Sequence, residues 1–272
     1  MHTIATVSLG GDLMDKLDVI AQAGFGGVEI YEPDIHHSRA SAFDVGQKIR
    51  ALNLKVTALQ PMKDVEATGN LKRQLERLEV RLAMMGALNT SLLLACSNSS
   101  PNAHDDREQA CTDLLAMAEF AHQRGFRIGF EALSWGRYIN SYQQALDLVE
   151  TVDHPGLGLV LDSFHILARR EPLDALATID AKRIFAVQLA DAPWFEEESY
   201  LHWSRYHRCL PYAGDLAIDD FLAALKQTGY SGPLSLELFH AAKSAENSHV
   251  RASDCKRTLD RVEAKLHPVE TT

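Results

Sequence analysis

Apolar and polar positions along this chain repeat one grammar: an amphipathic helical stretch, a Gly or polar break, then a short apolar run. The first such run is Ile4 to Leu9. Asp12 then stands where a helix cap belongs, and Leu13, Leu17, Ile20 and Ala21 share one face at the helical period. Gly24 ends that helix, and Gly27 to Tyr31 (GVEIY) reads as the next strand. The alternation goes on with helix Phe43–Leu52 before strand Lys55–Gln60, and helix Leu75–Leu88 before strand Ser91–Cys96. Helix Arg107–Arg124 precedes strand Arg127–Leu133, and helix Tyr142–Val152 precedes strand Leu157–Asp162. A short helix around Leu173–Ile179 leads to strand Ile184–Asp191, helix Ile218–Thr228 leads to strand Pro233–Phe239, and a helical tail near Ala252–Leu266 closes the chain.

Most of these strands are continuous apolar runs, as expected of a parallel sheet covered on both faces. A doubly wound open sheet is the structural rival, but no glycine-rich phosphate loop follows the first strand. Eight strand–helix units within 272 residues predict one α/β domain over 1–272, a single (β/α)8 TIM barrel. One connection is unlike the rest. Residues 192–217 form a long loop holding Trp194, Trp203, Arg205, His207, Arg208 and Tyr212, and loops of that length inside a domain are usually functional. We read it as a lid over the barrel mouth. The end, 267–272, reads as a frayed tail.

Composition narrows the function class. The formal net charge of −10 argues against a nucleic-acid surface, and no apolar run is long enough to span a bilayer. Cys96, Cys111, Cys209 and Cys255 are widely spaced without a ligand pattern, so reduced thiols are expected. The N-terminus reads as a strand rather than a signal peptide, and a cytoplasmic protein is expected. Self-association through the outer helices is compatible with such a barrel, yet no patch marks an interface.

In a barrel of this kind the active site lies at the C-terminal ends of the strands. Reading those ends gives Glu131, Asp162, Gln188 and Glu237, on four consecutive strands. Carboxylates flanked by apolar strand residues are costly to bury unless paired or coordinated. Three of them at one mouth would repel, and one divalent cation resolves that repulsion. The all-oxygen set favours Mg²⁺ or Mn²⁺, with Co²⁺ also acceptable. His165, three residues past Asp162, lies within reach of a metal-bound substrate and suits proton transfer near neutral pH. His36 and His37 read as an exposed loop pair.

These residues resemble a known family. Glu131, Asp162-Ser-Phe-His165, Gln188 and Glu237 are similar to the xylose isomerase-like barrels, a group of metal-dependent sugar isomerases, epimerases and dehydratases. The segments Glu131-Ala-Leu-Ser-Trp-Gly-Arg137, Val187-Gln-Leu-Ala-Asp-Ala-Pro193, Trp203-Ser-Arg-Tyr-His-Arg208, Gln60-Pro61 and Cys96-Ser-Asn-Ser-Ser-Pro101 resemble the bacterial 3-dehydroshikimate dehydratases in particular. The resemblance implies a lyase that dehydrates 3-dehydroshikimate to protocatechuate, by enolate formation and β-elimination, in aromatic and quinate–shikimate catabolism. It implies metal ligands at Glu131, Asp162, Gln188 and Glu237, a catalytic His165, and lid residues Ser204 and Arg208 in catalysis. Lys63, Arg137 and Arg205 are then candidates to hold the carboxylate of the substrate, the expected small-molecule partner. Some relatives carry a dioxygenase-like domain after the barrel, and a chain stopping at Thr272 is expected to lack it. The lid departs from the family pattern at Arg205-Tyr-His-Arg208 and Pro211-Tyr-Ala-Gly214, and Lys63 stands where Arg is common. A ketose isomerase or epimerase, or an inosose dehydratase, on the same barrel is the alternative. A barrel that binds without catalysis is the remaining one.

Overall fold

The computed structural model describes residues 1–194, 196, 199–239 and 247–266, so the expected frayed tail lies outside the described residues. Eight parallel strands close into a barrel in sequence order, with the first strand paired to both the second and the eighth. They are β1 (His2–Ala5), β2 (Gly27–Tyr31), β3 (Lys55–Met62), β4 (Leu92–Cys96), β5 (Arg127–Glu131), β6 (Leu157–Asp162), β7 (Ile184–Leu189) and β8 (Leu234–Leu236). Between them run α1 (Leu13–Gln22), α2 (Glu32–His37), α3 (Ala42–Ala51), α4 (Leu71–Leu88), α5 (Arg107–His122), α6 (Tyr142–Val152) and α7 (Ser163–Ala168). α8 (Tyr200–Tyr206) lies in the long connection after β7, and α9 (Ile218–Gln227) and α10 (Ser248–Leu266) complete the outer ring. The single-barrel expectation therefore holds.

Local chemistry explains the helix starts. The Asp12 side chain accepts from Met14 N at 2.9 Å, and Ser41 and Ser141 close capping boxes with Asp44 and Gln144. Leu13, Leu17 and Ile20 of α1 are buried as their spacing requires, within one large core between the helices and the outer face of the sheet. A smaller apolar cluster of Ala58, Leu92, Leu94, Val160 and Ala186 is separate from it.

Side chains alternate across a strand, so residues two apart share a face. Ala58, Leu94, Val160 and Ala186 of the small cluster therefore stand below Gln60, Cys96, Asp162 and Gln188. The barrel interior is apolar in one layer and polar in the next, toward the C-terminal ends of the strands. This alternation is what delivers several polar side chains to one place.

The structure corrects several readings. Among them are the strand ends, since β5, β7 and β8 stop at Glu131, Leu189 and Leu236, and the long connection after β7, which carries α8. β1 stops at Ala5, because Thr6–Ser8 turn into a 3-10 segment whose Thr6 hydroxyl accepts from Tyr31 N at 3.0 Å. The helix after β6 is α7, beginning at Ser163, where Asp162 caps it by accepting from Phe164 N at 2.7 Å. The stretch Leu173–Ile179 keeps only a 3-10 turn at Leu176–Thr178. His36 and His37 end α2 rather than lying in a loop, and His36 Nε2 sits 3.2 Å from Glu32 Oε1 one turn back. All four cysteines are free thiols. Among the described residues no helix is long and apolar enough to cross a membrane.

Candidate active site

The C-terminal end of the barrel holds Glu29 from β2, Gln60 from β3, Cys96 from β4, Glu131 from β5, Asp162 from β6, Gln188 from β7 and Glu237 just past β8. All are buried, as are His165 in α7 and Ser204 and Arg208 from the long connection after β7. The four sequence-predicted ligands, His165, Ser204 and Arg208 are thus brought to one mouth. Glu131, Asp162 and His165 each offer a ligand atom within 4.8 Å of the others.

Arg208 is the hub. Its Nη1 donates to Asp162 Oδ2 at 2.7 Å, to Glu237 Oε2 at 3.0 Å and to the Glu237 carbonyl at 3.2 Å. Its Nε donates to Ser204 Oγ at 3.0 Å, and its Nη2 lies 3.2 Å from His165 Nε2. A guanidinium thus answers part of the repulsion that sequence reasoning assigned entirely to a metal. Burial opposes its charge, and Asp162 and Glu237 outweigh that cost, holding it above its usual range.

One guanidinium does not balance the whole cluster. Burial, then Asp162 and Glu237, push the Glu131 carboxyl well above the usual carboxylate range. Burial also raises Glu237, although Arg208 pulls it down. Glu131 Oε2 accepts from the Cys96 thiol at 3.2 Å, and burial together with this carboxylate pushes that thiol well above its ordinary value. Glu131 Oε1 and Gln188 Oε1 are buried with no hydrogen-bond partner among the described residues. Orphaned buried oxygens of this kind are acceptors awaiting a cation or a donor. The residues present therefore fit a divalent ion: hard oxygen donors, surplus negative charge, and two unsatisfied atoms at its edge.

Burial, then Arg208 and Arg205, drive the His165 imidazole well below its ordinary value. Its Nε2 lies 3.7 Å from Glu131 Oε1 and 3.8 Å from Asp162 Oδ2. Its Nδ1 meets Ser134 Oγ at 3.0 Å.

The connection after β7 folds over this cluster. Asp191 pins both of its ends, accepting from Ala192 N and Leu216 N on one oxygen and from Tyr212 N and Gly214 N on the other. Trp203 in α8 packs edge-on against Phe164 at 5.5 Å. What remains open is a cavity of about 20 Å³ lined by Lys63, Glu131, His165, Arg205, Arg208 and Phe239 among others. Arg205 stacks over the Phe239 ring at 3.8 Å. Arg137 is not brought there: its side chain is exposed, with its guanidinium 5.9 Å from the Tyr138 ring. Its backbone N donates to Asn98 O at 2.7 Å. A roomier cavity of about 640 Å³ lies between the loops after β4 and β5, lined by Glu66, His104 and Tyr138, and shares no lining residue with the small one.

Sequence reasoning missed two groups. Glu29 accepts from Gln188 Nε2 at 2.8 Å and from Gln60 Nε2 at 3.2 Å, so it fixes which way the Gln188 amide faces. Burial raises it to about 7. An acid inside the apolar strand GVEIY carries the same signal as Glu131 and was open to the same argument. Ser134 is the other, and nothing in its local sequence shows that it meets His165.

The profile of the xylose isomerase-like TIM-barrel family matches residues 17–256. The chain is 43% identical over 260 residues to a 3-dehydroshikimate dehydratase of Pseudomonas putida, an alignment covering 95% of this chain and 41% of that protein. The chain thus spans less than half the length of that relative. A solved xylose isomerase-like TIM barrel/4-hydroxyphenylpyruvate dioxygenase fusion protein superposes with a TM-score of 0.94 at 42% identity, over 97% of this chain and 43% of that one. The IOLI protein, solved with a bound zinc atom, superposes with a TM-score of 0.87 at 21% identity, over 98% of this chain and 99% of that one.

Proposed function

This chain belongs to the xylose isomerase-like TIM-barrel family, and from that premise we propose that it is a divalent-metal-dependent hydro-lyase converting 3-dehydroshikimate to protocatechuate and water. Identity of 43% across 95% of this chain with a relative named for that reaction supports the substrate. The observation that carries the chemistry is the placing of His165, whose Nε2 stands 3.7 Å and 3.8 Å from two carboxylates of an acceptor-rich cage. Glu131, Asp162, Gln188 and Glu237 would hold the ion, Mg²⁺ or Mn²⁺ by donor type and with Co²⁺ accepted. When bound, such an ion supplies Lewis acidity toward the substrate ketone and offsets the charge of the cage.

The side chains do the rest. His165 Nε2 takes the proton from the carbon beside the ketone, leaving an enolate. Arg208, held by Ser204, contributes fixed positive charge as that oxygen becomes negative. The β-hydroxyl then leaves and takes the proton back from His165, so water forms and the imidazole is regenerated. Loss of a ring proton and gain of one on the ketone oxygen complete the aromatic product. Lys63 and Arg205, both at the cavity, bind the substrate carboxylate. Residues 192–217 act as a lid. A cavity of about 20 Å³ has room for roughly one water, so the lid opens to admit substrate.

The test uses the full chain, stripped by chelator and reloaded with Mg²⁺ or Mn²⁺. Incubation with 3-dehydroshikimate should generate the strong ultraviolet absorbance of protocatechuate, and chelator should abolish it. No product with any divalent metal would overturn the proposal. Glu131→Ala should lose both metal and turnover, whereas His165→Ala should keep metal and lose turnover.

A further inference from the structure

The His165 imidazole stands between two donors. On one side Arg208 Nη2 approaches Nε2 at 3.2 Å, and on the other the Ser134 backbone N donates to Nδ1 at 3.3 Å. A neutral imidazole carries one proton, so both nitrogens cannot accept at once. A guanidinium stays charged and only donates, and a backbone N–H also only donates. Left to these two groups, the ring has no tautomer that satisfies both. Ser134 Oγ decides between them. It lies 3.0 Å from Nδ1, closer than the backbone nitrogen, and a hydroxyl either donates or accepts. With the proton on Nδ1 the hydroxyl accepts it and the charged Arg208 donor keeps its lone pair at Nε2, while the longer 3.3 Å backbone contact goes unanswered.

We propose that Ser134 is a positioning residue whose hydroxyl accepts from His165 Nδ1–H and so keeps Nε2 bare toward the barrel mouth. The inference rests on the assignment of His165 as the base, because only a bare Nε2 removes a proton there.

The surroundings hold both partners in place. Trp135 and Phe164 meet the imidazole edge-on at 5.0 Å and 5.5 Å, which fixes the ring plane. Arg169 Nη1 donates to the Ser134 carbonyl at 3.0 Å, and Leu133 N donates to Ser97 Oγ at 3.0 Å. Gly136 closes this loop where a Cβ would come 1.9 Å from the Ile139 carbonyl oxygen. Ser134 is buried, so water does not substitute for its hydroxyl.

Replacing the hydroxyl by hydrogen leaves only the backbone N–H at Nδ1. An Nδ1–H then has no acceptor and meets that N–H, so the balance shifts toward a ring proton on Nε2 despite the Arg208 contact, and a protonated Nε2 no longer serves as a base. Ser134→Ala should lower kcat by about 10–100-fold, the usual cost of losing a partner that orients a functional histidine, with KM little changed. Ser134→Thr, which retains the hydroxyl, should restore most of the rate.

The deciding readout is the proton position itself. The full Mg²⁺-loaded chain, labelled with ¹⁵N-histidine, contains 12 histidines, and His165→Gln identifies the signal of interest by its loss. The wild type should show a protonated Nδ1 and a bare Nε2. Ser134→Ala should move the proton to Nε2, and Ser134→Thr should return it. A wild-type proton on Nε2, or an unchanged tautomer in Ser134→Ala, overturns the inference. This measurement needs no substrate, so absence of turnover with 3-dehydroshikimate would sink the proposed reaction and leave the role of Ser134 to be decided by the spectrum.

Discussion

Replacing Arg208 with Met removes the one guanidinium that bridges Asp162 and Glu237, and its cost follows from the geometry. The Arg208 side chain is 1% exposed, with Nη1 at 2.7 Å and 3.0 Å from the two carboxylates. Met keeps most of the apolar stem, so the loss is electrostatic rather than a cavity. Removing one partner from a buried ion pair costs about 3–5 kcal/mol, because the carboxylates left behind have neither water nor a counter-charge. At about 2.1 cal/mol/K per residue, a chain of 272 residues has an unfolding entropy of roughly 0.6 kcal/mol/K. The loss therefore appears as a fall of roughly 5–9 °C in Tm. The assay is thermal and urea unfolding of chelator-treated protein, so that no bound cation substitutes for the lost one. The second arm adds Asp162→Asn, which takes one carboxylate away yet leaves an oxygen to accept from Phe164 N. The double variant should be more stable than Arg208→Met alone. A loss below about 1 kcal/mol in the single variant, or simple additivity of the two changes, would refute the reading of Arg208 as the buried counter-ion.

Three further outcomes follow from other parts of the molecule. Burial pushes Glu66 up to about 8 while both of its oxygens accept from Asn98 N. Its folded form keeps a proton that the unfolded chain gives up near 4.5, so the stabilisation is full at low pH and is lost as pH rises toward 8. The slope is up to about 1.4 kcal/mol per pH unit in that window. Glu66→Gln should flatten the urea stability profile between those limits, and equal slopes would contradict the assignment. Gly136→Ala places a Cβ 1.9 Å from the Ile139 carbonyl and 2.7 Å from Ser97 Oγ, and should cost about 1–3 kcal/mol in urea unfolding. An unchanged midpoint would show that the loop relaxes freely. Mn²⁺ at a hundredfold excess over its Kd should stabilise the chelated protein by about 2.7 kcal/mol, and Glu131→Gln should abolish most of that shift. A full shift in the variant would place the ion elsewhere.

The barrel was legible because its strands are buried on both faces and therefore read as apolar runs, Leu157–Asp162 and Gly27–Tyr31 matching to the residue. The helices that escaped were α2, α8 and, most instructively, α7. It follows β6 without a break, so Ser163–Ala168 offers no polar punctuation, while Leu173–Ile179 has a helical look that only a 3-10 turn fulfils. At the site, Glu131, Asp162 and Glu237 were legible by one rule, a charge inside an apolar strand end. Ser134 was not, nor, at the separate larger cavity, was Glu66. Their partners, His165 and Asn98, lie 31 and 32 residues away, and only the closed barrel brings the loops together.

Arg208 shows where charge reasoning from sequence falls short. Repulsion among the strand-end carboxylates does require a cation, but the chain supplies one of its own, 46 residues along from Asp162, on a connection whose path no periodicity reveals. Total charge at the mouth is therefore a poor guide to where an ion sits. The better guide is which acceptors the guanidinium fails to reach. It engages Asp162 and Glu237, and the oxygens left without a donor are Glu131 Oε1 and Gln188 Oε1. Glu29 holds the Gln188 amide nitrogen, which turns the bare oxygen away from that contact. The two unanswered atoms on the β5 and β7 side are therefore where the proposed four-residue cage has most to gain from an ion, and the Glu131→Gln titration probes that side directly.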